Sequence, residues 1–271
     1  MLKRTIVGLV LIPVLFIVAL WAPEIVLTVF VGVFSAIAVN ELLYNTKLVR
    51  HRRMLLYTMV MAFLVPLWCH YGYSYPAALV GILLFYVALF AELMLSHTKV
   101  PFSQAAMCMA AGLVVPYLFS ALSRIVLMDE GRYFIMLPFV VAFASDIGAY
   151  FAGVTLGKHK LCPVISPKKT VEGLIGGLLL AILGMVVYGL ILQYGFGFKV
   201  NYFFVVIYGL IGALGGVFGD LSFSVIKRQT GIKDYGYLIP GHGGILDRFD
   251  SVIVVAPLVE ALLLILPMAV R

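Results

Sequence analysis

The chain has 271 residues, 63% of them hydrophobic and 11% charged, and its mean hydropathy is +1.12. Water-soluble domains carry about 45–50% apolar and about 25% charged residues. A chain of this composition cannot cover a globule with polar groups, which excludes a soluble enzyme, a disordered chain and a collagen-like chain and leaves an all-α, polytopic integral membrane protein. The net charge of +7 is what cytoplasmic loops collect beside anionic head groups and calls for no nucleic acid.

A helix crosses the hydrocarbon core with about 20 apolar residues, and on that rule the chain divides into about nine transmembrane helices. They are Ile6–Trp21, Ile25–Leu43, Met54–Cys69, Pro76–Leu95, Phe102–Leu122, Tyr133–Ala152, Val171–Tyr194, Tyr202–Ile226 and Ser251–Val270. The first follows Met1-Leu-Lys-Arg as a signal peptide would, but no small-x-small site follows Leu20, so it reads as a retained span. The third is short and contains Pro66, which suggests a kinked or partial crossing. Residues 1–122 (spans 1–5) form an N-terminal half of plain membrane helices; 123–271 (spans 6–9) form a C-terminal half with cytoplasmic loops 153–170 and 227–250. Cys69, Cys108 and Cys162 form no CxxC pair and read as small hydrophobes rather than a disulfide framework.

With the N-terminus placed inside, 15 of the 19 basic residues fall in cytoplasmic segments. Only Arg124, Arg132, Lys199 and Arg271 fall outside, a strong positive-inside bias. Any chemistry then belongs at the cytoplasmic face of the inner membrane.

In the N-terminal half Glu41 and Glu92 stand out, each near a cytoplasmic helix end. In the C-terminal half Asp146 and Asp220 lie within apolar runs. A carboxylate inside a span costs about 2.5–3.5 kcal/mol on insertion scales, so each is a functional candidate, with a helix–helix hydrogen bond as the plain alternative. Gly216, Asp220, Ser224 and Lys227 stack on one helix face. Gly212, Gly215, Gly216 and Gly219 supply small-xxx-small pairs suited to close helix packing.

The segment Ser166-Pro167-Lys168-Lys169-Thr170-Val171-Glu172-Gly173 reads as a helix start, Ser166 capping and Pro167 at the first helical position. Free N–H groups there with Lys168 and Lys169 would suit a phosphate, although lysines at membrane-helix ends are usually topology signals. The stretch from Asp220 to Asp250 gathers Asp220, Asp234, Asp247 and Asp250 with Lys227, Arg228, Lys233, Arg248 and His242. Asp247 and Asp250 share a side of any helix begun there. Oxygen-rich, cysteine-poor clusters suit hard cations such as Mg²⁺, which bind one or two carboxylates plus substrate phosphates. Gly241, Gly243 and Gly244 around His242 permit close backbone approach to a ligand. Both signs of charge in one stretch suit a nucleoside triphosphate, whose phosphates need a bridging cation and whose leaving pyrophosphate needs donors.

The run from Ser224 through Lys227-Arg228, Lys233-Asp234 and Pro240-Gly241-His242-Gly243-Gly244 to Asp247-Arg248-Phe249-Asp250 resembles the signature of the phosphatidate cytidylyltransferase (CDP-diacylglycerol synthase) family, without a departure. Asp146 in Ser-Asp-x-Gly-Ala-Tyr and the Ser-Pro-Lys-Lys-Thr-x-Glu-Gly segment are similar to family features as well. The resemblance is strongest from Phe143 onward. It implies transfer of CMP from CTP to phosphatidic acid, giving CDP-diacylglycerol and pyrophosphate, in an all-helical membrane homodimer dependent on Mg²⁺, with K⁺ as a second ion in some members. By the same resemblance Asp220 and Asp247 are the leading metal ligands, with Asp250, Asp234 and Asp146 behind them. Asp220, Asp247, Lys227 and Arg228 are the candidate catalytic residues. Lys168, Lys169, Ser224, Lys233, His242, Gly243, Gly244 and Arg248 are the candidate substrate contacts.

Two other classes stay open on the residues alone. A transporter or channel could use Asp146 and Asp220 to line a cation path. A CDP-alcohol phosphotransferase would carry an Asp-x-x-Asp-Gly pattern with a later Gly-x-x-x-Asp, which is absent. A purely structural membrane subunit explains neither cytoplasmic loop.

Overall fold

The computed structural model describes residues 17, 19–71, 75–97, 99–238 and 243–271. Among them, seven helical stretches are long and apolar enough to cross a membrane: Glu24–Asn45, Arg52–His70, Pro76–Leu95, Phe102–Leu127, Gly131–Thr155, Val171–Gly195 and Tyr202–Gln229. These coincide with the second to eighth expected spans, and the all-helical membrane architecture holds. The first expected span lies almost wholly outside the described residues. The ninth is a helix, but one carrying Asp247, Arg248, Asp250 and Glu260, and it is not among the seven.

The chain divides into two compact units. The first comprises the chain up to Asp129 together with Lys227–Phe249. It contains α1 (Glu24–Asn40), prolonged by a π-helical turn (Glu41–Asn45), then α2 (Arg52–His70), α3 (Tyr75–Leu95), α4 (Phe102–Phe119) and α5 (Ala121–Leu127). Helix α2 runs unbroken through Pro66, so the expected partial crossing is a full helix of 19 residues. Its neighbours are α1, α3 and α4. The apolar filling includes Val39, Leu43, Met54, Leu89 and Phe119, all almost fully buried. On α3, by contrast, Leu79, Val80, Leu83 and Leu84 are more than half exposed. A face of that kind is stable in lipid and costly in water.

The second unit comprises Glu130–Ile226 and Asp250–Arg271. It holds α6 (Gly131–Phe134), α7 (Leu137–Thr155), a hairpin of β1 (Lys160–Cys162) with β2 (Ser166–Thr170), and α8 (Val171–Leu190), which ends in a second π-helical turn (Ile191–Gly195). β3 (Lys199–Val200) follows, with most of α9 (Tyr202–Gln229) and of α10 (Leu246–Ile265), and β4 (Ala269–Val270). β4 pairs antiparallel with β3, so the expected last span is helical only to Ile265. Asn201 N–H donates to Met268 O at 2.8 Å and Tyr208 Oη to Leu266 O at 3.1 Å, which fix this end.

Helices α7 and α8 pack against each other extensively. Glycines make this possible: a Cβ on Gly148 would fall within 3.0 Å of Gly176 O, and one on Gly176 within 3.0 Å of Ala152 Cβ. Small residues let membrane helices approach backbone to backbone, where dispersion replaces the hydrophobic drive that lipid cannot supply. On α9 the expected small-xxx-small pairs pack likewise, Gly212 against Val141, Gly215 against Leu258 and Gly219 against Asp250 O.

The segment before α8 differs from expectation. Ser166 and Pro167 lie in β2 rather than at a helix start, and the helix begins at Val171 with Thr170 as its cap, Oγ1 accepting from Gly173 N–H at 3.1 Å. The reason is the Glu172 carboxylate. It accepts the N–H of Lys158 at 3.1 Å and of His159 at 3.2 Å, and pairs with His159 Nδ1 at 2.6 Å, tying the residues just before β1 to the first helical turn. None of the three cysteines forms a disulfide, and Cys69 and Cys108 are buried.

Gly176→Val should lower the melting temperature of the detergent-solubilised protein by the equivalent of about 1–3 kcal/mol, the usual cost of overpacking. Gly195→Ala, whose Cβ would meet nothing nearer than 3.9 Å, should leave it unchanged. Equal melting of both variants would refute close backbone packing of α7 on α8.

Candidate functional site

The carboxylates singled out in the sequence fall into two groups, one in each unit. In the second unit, β2 carries Lys168 and Lys169 on alternate sides, Lys168 exposed and Lys169 partly covered. Lys169 Nζ lies 2.6 Å from Asp220 Oδ2. Ser224, one turn beyond Asp220 on α9, donates from Oγ to Asp220 Oδ1 at 3.2 Å. Both side chains of the ion pair are 26–30% exposed, so solvent weakens the pair and leaves each charge accessible to a ligand. Beside them is a cavity of about 200 Å³ lined by Ser145, Asp146, Tyr150, Lys168, Lys169 and Thr170 among others. Asp146 and two lysines thus border one cleft. Asp250 is buried, and its Oδ1 accepts the N–H of Ser251 at 2.8 Å.

In the first unit the centre is Asp247, with 4% of its side chain exposed. Its Oδ1 lies 3.0 Å from Lys227 Nζ. Its Oδ2 accepts the N–H of Tyr235 at 2.7 Å and of Gly244 at 3.0 Å. Lys227, 11% exposed in its side chain, also lies over the Tyr235 ring at 5.3 Å. Gly243 adopts φ +85°, a conformation that only glycine takes without strain. Arg228, Lys233 and Arg248 are exposed around this core, and Asp234 is half-buried. His242 lies outside the described residues.

Three side chains important to this arrangement were not among the candidate site residues. Glu172 organises the hairpin under Lys168 and Lys169. Glu41 accepts the N–H groups of Ile245 at 3.1 Å and Leu246 at 2.9 Å, and Asn45 Nδ2 donates to Tyr235 O. The signal for Glu41 was present: a carboxylate at the end of an apolar run is the same anomaly that drew attention to Asp146 and Asp220.

Among the described residues no three His, Cys, Asp or Glu side chains converge as a ready-made metal cage. That suits Mg²⁺ bound through substrate phosphates, which takes one or two carboxylates rather than an all-protein shell. Asp220 with Ser224 Oγ is a hard-oxygen donor set of that kind. Asp247 already accepts three donors, which leaves it less to offer an ion. Chemically, each group presents a carboxylate against a lysine, and in the second unit the Asp220 carboxylate also accepts the Ser224 hydroxyl. A lysine steadied by a carboxylate is suited to holding and orienting phosphate oxygens.

A family model described as the cytidylyltransferase family matches residues 2–266 of the chain. Among curated proteins, the phosphatidate cytidylyltransferase of Staphylococcus saprophyticus subsp. saprophyticus is 40% identical over 174 residues, 63% of this chain and 63% of that protein. Its counterpart in Staphylococcus aureus strain COL is 41% identical over 172 residues, and that in Staphylococcus haemolyticus 39% identical over 174 residues. In each case the match spans 63% of the relative's length.

Removing one partner of a buried ion pair strands the other, at about 3–5 kcal/mol. Asp247→Ala, which also orphans two backbone N–H groups, should therefore lower the melting temperature sharply. Lys233→Ala, on an exposed side chain, should stay within about 0.5 kcal/mol of the parent. Thermal unfolding followed by intrinsic fluorescence reads both, and an unaltered Asp247→Ala melt would exclude a structural pair.

Proposed function

The chain belongs to the cytidylyltransferase family, and from that premise we propose that it is a phosphatidate cytidylyltransferase, joining CTP to phosphatidic acid to give CDP-diacylglycerol and pyrophosphate. The activity named for its relatives supports the reading most directly. The two carboxylate–lysine groups support it independently, because they supply what phosphates require.

In the proposed reaction an oxygen of the phosphatidate phosphate attacks the α-phosphorus of CTP in line. A new P–O bond forms there as the bond to the bridging α–β oxygen breaks, and pyrophosphate carries away the electron pair. The attacking phosphate is already largely ionised near neutral pH, its second pKa being about 6 by analogy with phosphoesters, so no general base is assigned. Lys169 and Lys168 on β2 would hold phosphate oxygens from the second unit. Lys227, steadied by Asp247 and Tyr235, would do so from the first, with Arg228, Lys233, Arg248 and the Gly243–Gly244 backbone beside it. Positioned cations and N–H groups lower the barrier where charge builds on the leaving group.

Mg²⁺ is the proposed cofactor, with K⁺ as a second ion. Asp220 with Ser224 is the favoured holder, followed by Asp247, with Asp146, Asp234 and Asp250 as lesser candidates. When bound, the ion would supply Lewis-acid neutralisation of phosphate charge. We further propose nine crossings with the N-terminus inside, an active site facing the cytoplasm, and a homodimer. The positive-inside distribution of lysine and arginine supports the orientation.

Purified protein given labelled CTP, phosphatidate and Mg²⁺ should yield lipid-extractable cytidine, and none should form without phosphatidate. Asp220→Asn and Asp247→Asn should each lower turnover by about 10²-fold or more. Lys227→Ala should chiefly raise the KM for substrate. Ion flux from protein in vesicles without CTP, together with no labelled lipid, would favour a transporter instead.

A further inference from the structure

Glu41 belongs to no motif in this chain, yet it is buried, with 4% of its surface exposed. A carboxylate withdrawn from water is stable only when donors replace its hydration. Here the donors are the N–H groups of Ile245 and Leu246, at 3.1 and 2.9 Å, at the start of α10. The first N–H groups of a helix have no intrahelical partner, and an anion beside them is stabilised by the charge and the helix dipole together. Glu41 is therefore an N-terminal cap delivered from more than 200 residues away in sequence.

Two glycines ahead of α10 abut the same carboxylate. A Cβ on either Gly236 or Gly244 would fall within 3.0 Å of its oxygens. Asn45, four residues after Glu41, holds the carbonyl of Tyr235. Asp247 grips this loop from the opposite end through the N–H groups of Tyr235 and Gly244. Phe249 packs on Phe34 and Phe119, with ring centroids 5.4 and 5.3 Å apart. Those apolar contacts resist sideways movement of α10 but are tolerant of small shifts along its axis. The two hydrogen bonds to Glu41 are not, and Asp247 with its Lys227 partner lies one residue beyond the second of them.

We propose that Glu41 is a positioning residue for cytidylyl transfer: its carboxylate fixes the first turn of α10 and thereby the placement of Asp247 and Lys227. The inference rests on the activity proposed above. A misplacement of about 1 Å at a reacting centre can cost about 10²-fold in rate, whereas a purely structural cap would change only how much protein is folded.

Glu41→Gln keeps the size but leaves one acceptor oxygen for two N–H groups. Per folded molecule, counted from the monodisperse fraction in detergent, it should lower kcat about 10- to 100-fold. Glu41→Asp, which keeps both oxygens, should recover part of the loss. Gly244→Ala, which pushes on the carboxylate from the loop, should lower kcat in the same way. Hydrogen exchange should show the amides of Ile245 and Leu246 losing protection in Glu41→Gln, whether or not the protein is active. Unchanged protection overturns the contact. Lost protection with parental kcat per folded molecule overturns positioning and leaves a structural cap. If the parent makes no labelled lipid at all, the activity reading falls first and the positioning role with it, a result distinct from either of the others.

Discussion

A carboxylate that leaves water must find positive charge or N–H donors where it comes to rest, and in a chain with only 11% charged residues such partners are scarce. Four acidic residues show how the structure answers this. Asp247 takes a lysine and two backbone amides. Glu41 takes the amides at the start of α10. Asp220 takes Lys169 and Ser224, and Glu172 takes two amides and a histidine. Each solution ties together segments distant in sequence, so the polar groups that would carry function also fold the loops that carry them.

The helices supply a frame on which such bonds can be short. Glycines on α7 and α8 bring the two backbones into contact, and the hairpin between them is then fixed by Thr170 and Glu172 at the start of α8. Lys168 and Lys169 consequently stand on a rigid two-stranded support rather than on a free loop. In the first unit Glu41 holds the amides of Ile245 and Leu246, Asn45 holds the carbonyl of Tyr235, and Asp247 holds the amides of Tyr235 and Gly244. Sites that bind phosphate gain from this preorganisation, because donors already aimed need no reordering when charge develops.

The chemistry of the two groups matches the family to which the chain belongs. Phosphoryl and nucleotidyl transfer asks little covalent work of a protein and much charge placement. Lysines held against carboxylates, with exposed arginine and lysine in the same segments, suit that demand.

Hydropathy alone determined the helical membrane architecture, because a run of about 20 apolar residues has few other stable fates. Seven of the expected runs are helices long and apolar enough to cross a membrane, and the unusual carboxylates at 146, 220 and 247 were visible as anomalies in an apolar chain. Tertiary structure decided the rest. Ser166 and Pro167 have the local chemistry of a helix start, yet Glu172 pulls the preceding amides into a hairpin and moves the cap to Thr170. Glu41 looks like any acid at a helix end until α10 is laid against it. Local pattern records which groups are costly to bury; only the folded chain reveals which distant donors offset that cost, since hydrogen bonds between residues 200 positions apart leave no periodicity to read.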